Sequence, residues 1–342
     1  MQENLLGRLM LDLDSHSLTD EEKHILQNPQ VGGVILFSRN IFSSNQVISL
    51  CQEIKDINPW LLIAVDQEGG RIQRLAEGYT SLPSMQRLGQ YVSQNRKAGI
   101  ELANHLGWLM ASEVIASGLD ISFAPVLDLD HETSSIIGDR SLGEIPDEVI
   151  AIASAYIAGM NEAGMQAIGK HFPGHGFIKA DTHLEAGVDG RAFKDIKESD
   201  MLVFKTLIEN GLEGIMPSHV IYSLCDDKPS GLSHFWLQDQ LRKNLGFNGA
   251  IFSDDMSMQA AVFTEKNVTK RVLKALQAGC DMVLVCNAGE DVDIVLTHLD
   301  WPVSKKSQCR IKAMGLNKKK NQQTQYMRLT ATEAGKLILK FN

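Results

Sequence analysis

Met10-Leu-Asp-Leu-Asp-Ser-His16 closes the first apolar run of the chain, and the way that run ends separates two folds. A doubly wound open sheet usually places a glycine-rich phosphate turn after its first strand. This stretch has none, and no G-x-G-x-x-G occurs anywhere in the 342 residues. Working outward, short apolar runs recur at 9–13, 31–37, 61–66, 121–127, 167–171, 214–217, 250–254 and 282–287. Their apolarity is continuous rather than alternating, the pattern of strands buried on both faces. Between them lie stretches with helical spacing, among them 45–57, 98–117, 146–163, 196–209 and 268–278. In 45–57, for example, Val47, Ile48, Cys51, Ile54 and Ile57 form one stripe. Eight strands alternating with helices predict an α/β, single-domain (β/α)8 TIM-type barrel. The expected division is a barrel domain over 1–300 and a basic, helical or irregular C-terminal tail over 301–342.

Composition bounds what such a barrel can do. An apolar fraction of 44% excludes a disordered chain, and nine prolines with 28 glycines exclude a fibrous one. The net charge of -9 hides a split. Residues 301–342 carry ten Lys/Arg and one acid, Glu333, whereas the rest of the chain holds 23 basic and 41 acidic side chains. An acidic body argues against nucleic acid as a partner, because phosphate binding needs a basic footprint. The apolar runs are strand-sized, so no membrane partner is expected. Glu3, Arg8, Asp12 and Asp14 interrupt the N-terminal segment, which therefore does not read as a signal peptide. Five cysteines without a C-x-x-C pair read as reduced thiols. The expectation is a cytoplasmic protein, and a monomer, since no long apolar helix face looks spare.

In a barrel of this type the C-terminal strand ends carry the chemistry. Here those ends bear Asp12, Ser38-Arg39, Asp66-Gln67-Glu68, Asp128, Lys170-His171, Ser218-His219, Asp254-Asp255 and Asn287. Helix caps or surface charges account for any one of them, but not readily for all eight together. The richest segment is Lys170-His-Phe-Pro-Gly-His-Gly-Phe-Ile-Lys-Ala-Asp-Thr-His183. His171 and His175 have helical metal-ligand spacing, yet Pro173-Gly174 prevents that helix. Gly174 and Gly176 suggest a loop with unusual backbone angles close to a ligand. Asp181 stands two residues before His183, where its carboxylate can hold one ring nitrogen and leave the other for proton transfer. The strand at 250–254 empties into Asp254-Asp255, a candidate nucleophile or metal site, with helix capping by Ser253 or Asp255 as the structural alternative. Val65-Asp-Gln-Glu-Gly-Gly-Arg71 ends another strand in an acid, with a double glycine that lets backbone approach a ligand.

With Val65-Asp-Gln-Glu-Gly-Gly-Arg71, Gly138-Asp-Arg-Ser141, Gly169-Lys-His-Phe-Pro-Gly-His-Gly176, Asp181-Thr-His183 and Phe252-Ser-Asp-Asp-Met-Ser-Met258 in this order, the chain resembles the family 3 glycoside hydrolases. Within them it resembles the bacterial cytoplasmic β-N-acetylglucosaminidases (beta-hexosaminidases) of peptidoglycan recycling, over about residues 10–287. Thr182 stands where serine is common, and Met256 where leucine is common. The resemblance implies a retaining mechanism through a covalent glycosyl-enzyme. It assigns the nucleophile to Asp254 and the proton donor and acceptor to His183, oriented by Asp181. The residues alone leave Asp254 and Asp255 both open. Sugar binding falls by resemblance to Asp66, Arg74, Arg140, Lys170 and His171, with Arg71 a competitor for Arg74. No cofactor and no metal are implied. The implied substrate is a muropeptide-derived disaccharide, N-acetylglucosamine on an anhydro-muramyl residue, with or without peptide. His175 and His219 are expected near the site without an assigned step. A histidine acid also carries no negative charge to repel an anionic acceptor such as phosphate.

Two rival readings make different demands. A metal-dependent barrel hydrolase normally has a His-x-His pair on its first strand, which residues 10–16 lack. A catalytically inactive glycan-binding sensor would have lost Asp254 or His183, and both are present.

Overall fold

A computed structural model of the chain describes residues 6–179, 187–287, 289–299, 301–302 and 304–315. Short β-branched and apolar segments form the strands β1 (Leu9–Leu11), β2 (Val31–Leu36), β3 (Leu62–Val65), β4 (Ile121–Ser122), β5 (Ile168–Phe172), β6 (Gly214–Pro217), β7 (Ala250–Ile251) and β8 (Val283–Val285). All are buried throughout, as continuous apolarity predicts. β8, β1, β2, β3 and β4 pair in parallel in that order, and so do β5, β6 and β7. Two parallel bridges, Val126 with Lys170 and Phe252 with Met282, join these sheets at both edges. Eight parallel strands therefore close into a ring.

Side-chain alternation then sorts strand residues into two layers. Met10, Ile35, Leu62, Ala64, Ile121, Phe123, Ile168, Met216, Ala250, Phe252 and Leu284 fill the inside of the ring. Their neighbours Leu9, Leu11, Val34, Leu36, Ile63, Val65, Ile215, Ile251, Val283 and Val285 pack against the helices outside. The helices follow local signals. Ser43 accepts a hydrogen bond from Gln46 N at the start of helix Ser44–Ile57, which buries Val47, Leu50, Cys51 and Ile54. Helix Pro146–Ala163 opens on proline and ends at Gly164.

The expected single helix over 196–209 is instead two, Phe193–Glu198 and Asp200–Glu209, broken at Ser199. The break turns Asp200 inward, where it is 1% exposed and pairs with Arg191 and His131. Past residue 300, helix Lys305–Met314 sends Ile311 and Met314 into the inner core with Leu6. The Gln308 side chain brackets the Leu6 backbone from both sides. This helix closes the floor of the barrel, at the end where the strands begin. Among the described residues no helix is long and apolar enough to cross a membrane.

Candidate active site

Inward parity at the strand tops continues from Ala64 to Asp66, from Ile168 to Lys170 and from Phe252 to Asp254. A cavity of about 470 Å³ opens there. Asp66, Glu68, Arg74, Arg140, Lys170, His171, His175, Asp254 and Asp255 line it, with Phe37, Phe123 and Met216 among its apolar walls. Asp181 and His183 lie outside the described residues.

Val65-Asp-Gln-Glu-Gly-Gly-Arg71 faces two ways. Gln67 turns outward and staples its own loop, accepting from Arg74 N and Leu75 N at 3.0 Å each and donating to Leu75 O. Asp66 and Glu68 turn inward. The Lys170 ammonium lies 2.7 Å from Asp66 Oδ1 and 2.6 Å from Glu68 Oε1. Arg140 donates to the same Glu68 through Nε at 2.8 Å and Nη2 at 2.9 Å. Burial alone would raise the Glu68 carboxyl, but these two cations outweigh it and hold it well below the usual carboxylate range. Lys170 is likewise kept charged, burial being outweighed by Asp66 and Glu68.

The double glycine serves a different end from the one expected. Gly69 and Gly70 have φ of +101° and +56°, and a Cβ on Gly69 would stand 2.4 Å from Pro83 O. The close approach is to the chain's own backbone at 82–84 rather than to a ligand. Gly174 is crowded by a side chain instead: its φ is +140°, and an added Cβ would meet the Asp200 side chain at 2.5 Å.

Asp128, fully buried, organises the histidines. Its Oδ1 accepts from His171 N at 3.1 Å and His175 N at 2.7 Å, and its Oδ2 meets His171 Nδ1 at 2.6 Å. That last contact directs the opposite edge of His171, a cavity residue, away from Asp128. His171 sits on a strand end and His175 in a loop, so they share a carboxylate and no helix. Burial, reinforced by His171, lowers His175 to about 4. Its Nδ1 has no partner among the described residues.

The two acids after β7 part company. Asp255 Oδ1 accepts from Ser257 N at 2.9 Å, Ser257 Oγ at 2.7 Å and Cys286 N at 3.0 Å. Burial still pushes its carboxyl up to about 6. Asp254 accepts from Asp255 N at 2.8 Å and is otherwise unengaged among the described residues. Burial alone would raise it too, but the His219 and His171 rings and Lys170 bring it below its ordinary value. His219 donates from Nε2 to Asp255 O at 2.8 Å, beneath the pair.

Arg39 pairs with Asp12, which also accepts from Asn287 N at 2.9 Å. Ser218 bonds Ser230 inside the wall. Arg71 is spent on Asp139 at 2.9 Å and on Ile136 O. The Arg74 guanidinium has no polar partner among the described residues and lies 5.9 Å from the Phe37 ring centre, which leaves it available to a ligand. Glu68 and Asp128 are the site residues to which sequence reasoning gave no role, although both stood at strand ends. No group of three His, Cys, Asp or Glu side chains able to hold a metal occurs among the described residues.

Comparison with known proteins agrees with this fold. The model of the glycosyl hydrolase family 3 N-terminal domain matches residues 6–312. A beta-hexosaminidase of Hydrogenovibrio crunogenus is 51% identical over 308 residues, which cover 90% of this chain and 86% of that protein. One from Pseudomonas aeruginosa is 45% identical over 336 residues, 97% of this chain and 99% of the other. Among solved structures, NagZ from Neisseria gonorrhoeae in complex with N-trifluoroacetyl-D-glucosamine superposes with a TM-score of 0.90 at 37% identity, over 98% of this chain and 97% of that one. A family 3 β-N-acetylglucosaminidase from Paenibacillus sp. str. FPU-7 gives a TM-score of 0.82 at 27% identity, over 97% of this chain and 62% of the other.

Proposed function

This chain belongs to glycosyl hydrolase family 3, and we propose that it works as a retaining, exo-acting β-N-acetylglucosaminidase. Family membership makes it a glycoside hydrolase, and the beta-hexosaminidases among its relatives support a β-N-acetylhexosaminidase acting on small glycans. Its substrate is the terminal β-1,4-linked N-acetylglucosamine of a disaccharide ending in 1,6-anhydro-N-acetylmuramic acid, with or without peptide. The setting is cytoplasmic recycling of peptidoglycan, by a monomer.

One observation carries the reading. Asp254 is a half-buried carboxylate kept ionised, and it shares its cavity with the linked Asp66, Lys170, Glu68 and Arg140. Paired acceptors and donors at fixed spacing suit the vicinal hydroxyls of a sugar ring. Asp254 attacks the anomeric carbon while His183, held by Asp181, protonates the departing glycosidic oxygen. The C–O bond to the leaving sugar breaks as the bond to Asp254 forms. His183 then takes a proton from water, whose oxygen displaces Asp254 and restores the β configuration. The ordinary histidine pKa of about 6.5 suits both proton transfers near neutral pH. Asp66, Arg74, Arg140, Lys170 and His171 hold the sugar.

Proton NMR of the enzyme with N-acetylglucosaminyl-β-1,4-anhydro-N-acetylmuramic acid tests this directly. The β-anomer of free N-acetylglucosamine should appear first and mutarotate afterwards. Initial release of the α-anomer, or an untouched disaccharide, would overturn the reading.

A further inference from the structure

Two anions, Asp66 and Glu68, and two cations, Lys170 and Arg140, stand together on the cavity wall. They differ in what they offer a ligand. The Asp66 side chain keeps 18% of its surface exposed, whereas Glu68 keeps 2%. Both Glu68 oxygens are already taken, Oε1 by Lys170 Nζ and Arg140 Nη2, Oε2 by Arg140 Nε. A carboxylate so occupied has little left for a sugar hydroxyl. The two cations come from separate parts of the chain, β5 and the turn Gly138–Arg140, and like charges repel. Among the described residues, Glu68 is the group that touches both.

We propose that Glu68 is a positioning residue of the sugar site, a single buried carboxylate that locks the Lys170 ammonium and the Arg140 guanidinium at fixed spacing for the substrate. The inference rests on the sugar-binding role proposed for this cavity. Two of the three Lys170 donors and two of the five Arg140 donors are spent on holding the set together, and a third Arg140 donor goes to Ile136 O. The others meet the ligand without first reorganising, which is how preorganised donors gain affinity. Other titratable groups around the set are Asp128, which faces Arg140, and, from helix Pro146–Ala163, the buried Tyr156 hydroxyl near Glu68. The four-charge set sums to zero, so losing Glu68 leaves one excess positive charge beside Asp254.

Glu68→Gln and Glu68→Asp separate charge from reach. For p-nitrophenyl N-acetyl-β-D-glucosaminide, Glu68→Gln should raise KM by about tenfold or more with a smaller fall in kcat. It should also move the acid limb of the kcat/KM pH profile to lower pH, because an anion that favoured protonation of Asp254 is gone. Glu68→Asp keeps the charge but is one methylene short, so KM should rise while that limb stays. A merely structural role would lower the active fraction, and hence kcat, with KM and the acid limb unmoved. That result overturns the proposal. A crystal structure of whichever variant folds decides the matter without any substrate: displacement of Lys170 or Arg140 supports it, and both cations unmoved overturns it. A wild-type enzyme inert toward the glycoside would sink the sugar reading alone, leaving the positioning of the cations to that crystal structure.

Discussion

Adjacent carboxylates at the end of β7 occupy opposite electrostatic situations. Asp255 is tied down by Ser257 and the Cys286 amide and has its carboxyl raised to about 6. Asp254 faces the cavity with its carboxyl below the ordinary range. A depressed pKa means the group stays anionic as pH falls. If Asp254 is the nucleophile, the acid limb of kcat/KM lies at or below the usual aspartate value of about 4. A limb near 6 would point to Asp255 instead. Substitution should separate them as sharply. Asp254→Asn should lose roughly a thousandfold or more in kcat/KM, as removal of a nucleophile does. Asp255→Asn keeps an oxygen to accept from Ser257 N and Cys286 N, so its loss should be far smaller. Equal losses in the two variants would contradict the division of roles. The sequence left this choice open because both residues follow the same strand. What separates them is Ser257 and a backbone amide 31 residues away.

At the scale of elements, the chain past residue 300 shows how composition can mislead about packing. Its lysines and arginines mark a solvated tail, yet helix Lys305–Met314 buries Ile311 and Met314 at 0% and 1% exposure in the barrel floor. Ile311→Ala should therefore cost about 2–5 kcal/mol, read as a lowered urea midpoint. The kcat of the folded fraction should be unchanged, because the floor is the far end from the cavity. A variant as stable as wild type would show that this helix is not part of the core. The strands were legible because burial on both faces leaves a continuous apolar run, and Val268–Ala278 and Pro146–Ala163 carried the bounds of their helices in their spacing. The break at Ser199 was not legible, since the Asp200 it turns inward is met by Arg191 and by a histidine 69 residues distant. The glycines at 69, 70 and 174 signalled unusual backbone, but which atoms press on them depends on tertiary contacts.

The whole molecule is a ring in which alternation along each strand aims one set of polar residues at a single mouth. That rule made Asp66, Lys170 and Asp254 legible as cavity-lining residues from their positions alone, while His171 was marked by its place at a strand end. It did not reveal the work of Glu68, because Arg140 reaches it from 72 residues away and no local pattern encodes that pairing. The charge split has a similar explanation. Part of the acidic excess is concentrated around the cavity, neutralised there by buried cations, while four of the tail's ten cations ride on the helix that plugs the opposite end. Under the proposed mechanism a sugar becomes covalently attached to Asp254 during turnover. Incubation with a β-N-acetylglucosaminide whose glycosyl-enzyme breaks down slowly, followed by mass spectrometry of proteolytic peptides, tests it most directly. One sugar per chain is expected, carried on Asp254 in the peptide containing Phe252-Ser-Asp-Asp-Met; a label on Asp255, or on any residue other than Asp254, would contradict that mechanism.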